Sequence, residues 1–217
     1  MNPFSFSRRL LQNALLWVAL SAWVLPPAYA QPSAPAPRIL VVGDSLSAEY
    51  GLARNTGWVE QLRQALAKQN PAAAVMNASI SGDTTSGGLA RINAALTQHK
   101  PTILILELGA NDALRGLPLT LTQKNITEMI MRAKETGAKV VLVGMQIPPN
   151  YGRDYVQGFK NLFVQVAEQT ESALVPFLFE GFADQRQYFQ ADGIHPNEQA
   201  QSLMLTTVRK ALDPLLF

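Results

Sequence analysis

Short apolar runs alternate with stretches of helical periodicity along most of the chain. Arg38-Ile39-Leu40-Val41-Val42-Gly43 is unbroken apolar sequence between a charge and a glycine, the pattern of a strand buried on both faces. Trp58, Val59, Leu62 and Leu66 then recur at the spacing of one helix face, and Asn70-Pro71 ends that segment. Residues 74–77 read as a second strand, and Leu89, Ile92 and Leu96 mark a second helix. The run 102–108 (TILILEL) is the plainest strand in the chain. Ile126, Met129, Ile130 and Ala133 predict a third helix, stopped by Gly137, and 139–145 (KVVLVGM) a further buried strand. Val156, Phe159, Phe163 and Val166 form the next helical stripe, and 174–177 the last short strand. After Pro196 a final helix is expected to bury Leu203, Val208 and Leu212. Strands separated by helices imply βαβ units and a parallel sheet covered on both sides. The expected fold is therefore α/β: a three-layer α/β/α sandwich on a flavodoxin-like, five-stranded parallel sheet.

Composition narrows this further. Of 217 residues 47% are apolar and 16% charged, so the chain has the apolar content for a packed core and is not a disordered polymer. The absence of Cys excludes a disulfide scaffold, a thiolate metal site, a cysteine nucleophile and a lipobox anchor. Two histidines, His99 and His195, are too few for a multi-histidine metal cage.

The first thirty residues stand apart. Arg8 and Arg9 precede an apolar run from Leu10 to Leu25, followed by Pro26-Pro27 and the small-x-small end Ala28-Tyr29-Ala30. That order is a secretory signal peptide, residues 1–30, and its interrupted apolar core is short for a membrane span. A Pro-rich lead-in, 31–37, joins it to a single domain, 38–217. The full chain has 18 basic and 16 acidic residues; losing Arg8 and Arg9 leaves 16 of each, so the basic excess vanishes and nucleic acid is a poor partner. The expected product is exported, periplasmic or secreted, monomeric, and not stably inserted in a membrane.

Ligands of open parallel sheets sit beyond the carboxyl ends of the strands. Four small, polar clusters fall there: Gly43-Asp44-Ser45-Leu46-Ser47, residues 79–85 (SISGDTT), Gly109-Ala110-Asn111-Asp112, and Asp192-Gly193-Ile194-His195-Pro196. A nucleophilic hydrolase needs a hydroxyl, a base, an orienting acid and donors for an oxyanion. Ser45, exposed on a tight turn, is the best hydroxyl, and a helix starting after it would favour negative charge nearby. A capping serine would have the same local signature. His195 is the plausible base, since His99 falls at a helix end. Asp192, three residues earlier in a turn, lies within reach of one imidazole nitrogen. Asn111 offers an amide donor, and Gly82 a backbone N–H that a large side chain would block. With the Ser45 N–H these make a three-donor oxyanion hole.

In order and spacing these residues resemble the four sequence blocks of the GDSL (SGNH) hydrolases, over essentially all of 38–215. The stretches 77–84 (NASISGDT) and 148–152 (PPNYG) are similar to the exported thioesterase I, lysophospholipase and arylesterase branch of that family. The resemblance implies Ser45 as nucleophile, Asp192 and His195 completing the triad, and Ser45, Gly82 and Asn111 as oxyanion hole. Asp44 and Asp112 would be supports. It also implies a substrate-responsive loop after the Asn-Asp pair, in which Leu114, Arg115, Leu117 and Pro118 would meet the acyl chain. Its mechanism requires no metal and no cofactor. The expected substrates are small acyl esters or thioesters, lysophospholipids among them. Two rivals remain: a carbohydrate acetyl-esterase, and a non-catalytic exported lipid- or acyl-binding module, which would need none of the triad residues.

Overall fold

Each strand sends alternate side chains to opposite faces, and in this chain both faces are apolar. From the first strand, β1 (Arg38–Gly43), Ile39 and Val41 enter one core while Leu40 and Val42 enter another, all four inaccessible to solvent. The computed structural model describes residues 36–216, so the expected leader and most of the lead-in lie outside the described residues. With β2 (Ala74–Asn77), β3 (Ile103–Glu107), β4 (Lys139–Val143) and β5 (Ala173–Val175), β1 forms one sheet in the order β2-β1-β3-β4-β5, every neighbouring pair parallel. That is the doubly wound, flavodoxin-like order.

Helices α1 (Trp58–Gln69) and α6 (Gln201–Leu212) cover the Ile39/Val41 face through Trp58, Leu62, Met204 and Val208. Helices α2 (Thr85–His99), α4 (Leu119–Glu135) and α5 (Arg153–Gln169) cover the other through Ile92, Met129, Phe159 and Phe163. A single-turn helix, α3 (Ala110–Leu114), was not foreseen from periodicity, being shorter than one repeat of the pattern. In α6 the inward row is Met204, Val208 and Leu212, continuing at four-residue spacing from Ala200 in the turn before it; Leu203, expected inside, is half-buried beside it.

Chain direction across the sheet reverses between β1 and β3. Their carboxyl ends are in register, Val42 opposite Leu106 and Gly43 opposite Glu107, and open a crevice where the two βα loops diverge. No helix among the described residues is long and apolar enough to cross a membrane.

Candidate active site

β1 ends where it meets Glu107. A Cβ on Gly43 would lie 2.7 Å from Glu107 Oε2 and 2.9 Å from Ser47 Oγ, so glycine alone lets the two strand ends close up. The chain then makes one tight turn: Asp44 O accepts from the N–H of Ser47 (3.2 Å) and Ala48 (3.0 Å), and Asp44 Oδ1 from Leu46 N–H (3.0 Å). Ser45 stands half-buried at its crest. No α-helix starts here, contrary to the expectation from sequence; α1 begins only at Trp58. Glu49, at φ +60°, breaks the turn, and its carboxylate accepts from the N–H of Asn55 (3.0 Å) and Gly57 (2.8 Å), folding 49–57 into a loop. The Ser45 turn therefore leads into no helix whose dipole would favour negative charge there.

The Asp192–His195 segment closes on this turn. Asp192 Oδ1 accepts from the N–H of Ile194 (2.9 Å) and His195 (3.0 Å), an arrangement that requires the tight turn at Gly193, φ +73°. Asp192 Oδ2 is 2.7 Å from His195 Nδ1, and His195 Nε2 is 3.0 Å from Ser45 Oγ. With Nδ1–H donating to the carboxylate, Nε2 is left to accept from the Ser45 hydroxyl. Slight burial works against ionisation of Asp192, but the Ile194 N–H, the His195 imidazole and the His195 N–H outweigh it and hold its carboxyl down at about 2.

The other polar clusters adjoin the same turn. Ile80 N–H donates to Gly43 O (3.0 Å), laying 79–83 beside it. Among the described residues neither the Ser45 N–H nor the Gly82 N–H is engaged by the chain. A Cβ on Gly82 would meet nothing within 4 Å, so space is not the reason for glycine; its φ of +78° is. Asn111, at the start of α3, donates one amide hydrogen to Asp44 Oδ2 (2.9 Å) and keeps the second free.

Behind the turn lies a buried acidic pair. Asp44 is 1% and Glu107 2% exposed. Ser47 Oγ donates to Glu107 Oε2 (2.7 Å), and Asp44 N–H reaches the same oxygen at 3.4 Å. Burial pushes the Asp44 carboxyl up to about 6, against the Leu46 and Asn111 hydrogen bonds that favour its charge. Burial, and then the Asp44 charge, push the Glu107 carboxyl well above the usual carboxylate range. Sequence reasoning passed over Glu107 and Ser47, although one carboxyl inside the apolar run TILILEL was a visible signal. Asp112, fully buried, accepts from Thr85 N–H (2.8 Å) and Thr85 Oγ1 (2.5 Å), fastening α3 to the start of α2.

The loop after α3 forms the rim. Leu114 and Leu117 are half-buried, Arg115 and Pro118 exposed. Tyr151 Oη donates to Leu114 O (3.2 Å), Tyr155 Oη to Leu117 O (2.7 Å), and Arg115 Nη2 to Gly82 O (3.0 Å). Exposed apolar side chains flank the mouth: Tyr50, Ile80 and Ile194. No group of three or more potential metal ligands occurs among the described residues.

Comparison with known proteins agrees with this architecture. The α/β/α sandwich is shared with the crystal structure of a TesA, which aligns at a TM-score of 0.79 and 48% identity over 82% of this chain and 99% of that one. The esterase TesA of Pseudomonas aeruginosa is 48% identical over 183 residues, 84% of this chain and 91% of its own. Thioesterase 1/protease 1/lysophospholipase L1 of Escherichia coli K12 is 38% identical over 184 residues, covering 85% and 87%. Residues 41–203 match the GDSL-like lipase/acylhydrolase family, and the chain belongs to it.

Proposed function

We propose that this chain is a serine esterase that hydrolyses carboxylic ester and thioester bonds of small acyl substrates. One observation carries the assignment of roles: the unbroken chain from Asp192 Oδ2 through both imidazole nitrogens of His195 to Ser45 Oγ, at 2.7 and 3.0 Å. Ser45 Oγ attacks the acyl carbonyl as His195 Nε2 removes its proton, and Asp192 stabilises the resulting imidazolium. The carbonyl oxygen becomes an oxyanion that receives hydrogen bonds from Ser45 N–H, Gly82 N–H and the free amide hydrogen of Asn111. The imidazolium gives its proton to the leaving alcohol or thiol, which departs as the acyl-enzyme forms. A water activated by His195 then attacks that ester and releases the carboxylic acid and Ser45.

In this reading Leu114, Leu117 and Pro118, with Ile80 and Ile194 opposite, accompany the acyl chain. The Arg115 guanidinium, with Nη2 given to Gly82 O, has its remaining N–H groups for the phosphate of a lysophospholipid. Residues 1–30 act as a cleaved leader that sends a monomeric enzyme to the periplasm or the medium.

Initial rates on p-nitrophenyl esters from acetate to palmitate, measured for the wild type beside Ser45→Ala, test the assignment. The variant should lose at least about 10⁴-fold in kcat with an unchanged melting temperature. Equal turnover by Ser45→Ala would refute the nucleophile. Hydrolysis confined to acetate would favour the carbohydrate acetyl-esterase reading.

A further inference from the structure

Ser45 and His195 belong to loops 150 residues apart, and their separation must be held to a few tenths of an ångström for proton transfer. The Ser45 turn is anchored to the sheet end. The His195 loop is anchored farther back, where Leu178, Phe179 and Phe182 are buried in the core and Leu178 N–H donates to Gly144 O (3.0 Å). Between β5 and α6, however, it has no strand or α-helix, only the 3₁₀ turns Arg186–Tyr188 and Glu198–Ala200. Most of that loop's hydrogen bonds are internal. Gln190 N–H donates to His195 O (2.8 Å), Asn197 N–H to Tyr188 O (2.8 Å), and Arg186 to the carbonyls of Phe189, Gln190 and Ala191. These bonds shape the loop without fixing it against Ser45.

One side chain crosses the gap beside the catalytic pair. Gln190 Nε2 donates to Tyr50 O (2.8 Å), on the Ser45 loop, and to Pro196 O (3.1 Å), next to His195. The Tyr50 ring lies against the His195 imidazole, centroids 4.4 Å apart at 41°. The backbone is shaped to admit this carboxamide: Gly51 has φ +70°, and a Cβ there would stand 2.1 Å from Gln190 Oε1. The further crossing bond, Ala53 N–H to Glu198 Oε1 at 3.3 Å, lies farther along both loops.

We propose that Gln190 is a positioning residue of this site: its carboxamide clamps the Tyr50 and Pro196 carbonyls together and so sets His195 Nε2 against Ser45 Oγ, with the Tyr50 ring as the clamp's second jaw. The inference rests on the serine-esterase reading. Gln190 touches no reacting atom; it acts through the imidazole.

Gln190→Glu preserves size but turns the two-hydrogen donor toward both carbonyls as an acceptor; Gln190→Ala removes it. Both should lower kcat by about 10²-fold with KM nearly unchanged, since substrate contacts are untouched. The rate at which an organophosphonate labels Ser45 should fall by the same factor, because it reads nucleophile activation without the substrate's own binding. Gln187→Ala, an exposed glutamine in the same loop, should match the wild type. Wild-type kcat and labelling in Gln190→Glu would overturn the proposal, as would a rise in KM at constant kcat. Wild-type protein without Ser45-dependent hydrolysis would overturn the serine-esterase reading itself, and the clamp with it. Melting temperatures identify a variant that has merely unfolded, in which case Gln190→Glu decides.

Discussion

Asp44 shows how one buried carboxylate shapes a turn and aims a neighbouring amide at a cost to stability. Its Oδ1 shapes the Ser45 turn through Leu46 N–H while its Oδ2 aims the Asn111 amide. Keeping that carboxylate charged beside buried Glu107 works against folding. A folded-state pKa of about 6, against 3.8 unfolded, means the native protein retains a proton that the unfolded chain has released. Stability attributable to Asp44 is therefore full below pH 3.8 and is lost as pH rises through about 6. Urea midpoints of the wild type relative to Asp44→Asn should fall as pH rises through that window; a level difference throughout would remove Asp44 as the group. Asn111→Ala tests the other end of the hydrogen bond. It should reduce kcat about 10²–10³-fold with little change in KM, because the donor's free hydrogen is used mainly in the transition state. A change confined to KM would contradict that use.

At the scale of elements, the site depends on how α2 and α3 are fastened. Thr84 caps α2 by accepting from Gly87 N–H, and Asp112 takes both polar groups of Thr85 from below. Asp112→Ala would leave the Thr85 N–H and hydroxyl buried without that partner, at a cost of about 3 kcal/mol, and would loosen the helix that presents Asn111. Urea unfolding should register the loss and kcat should fall with it. Glu128→Ala, which breaks an exposed pair with Arg132 on α4, should cost no more than about 0.5 kcal/mol in the same assay. The five strands and five longer helices were legible because buried parallel strands and amphipathic helices carry their signal in local periodicity. Leu203 was misjudged for Met204 because two adjacent apolar residues leave the helix face open until the sheet chooses it. Glu49's reversal after Ser45, the Glu107–Asp44 pair and the Gln190 bridge were not read, since each joins residues distant in sequence or depends on a φ that no composition reveals. The four polar clusters were legible for the opposite reason: three interrupt the apolar pattern just where β1, β2 and β3 end, and the fourth, Asp192–Pro196, stands out as a polar turn before the last helix.

For the molecule as a whole, charge offers a test that the fold does not. The full sequence has an isoelectric point near 9.0, yet the excess over neutrality is two residues, and both, Arg8 and Arg9, belong to the proposed leader. Cleavage after Ala30 removes them with no compensating acid and leaves sixteen basic against sixteen acidic side chains. Near its neutral point such a protein has little net repulsion to keep copies apart, so the exposed apolar rim around the catalytic mouth makes association most favourable close to neutrality. Isoelectric focusing of the exported protein should place it near neutral pH, with Gln31 as the first residue by mass spectrometry. A product focusing near 9.0 and beginning at Met1 would mean that the leader is retained. Solubility should then pass through a minimum near the neutral focusing point and recover on either side. If it recovers at the minimum when Ile80 and Ile194 are both replaced by Ser, the rim is the surface responsible; an unchanged minimum would assign the association to charge balance alone.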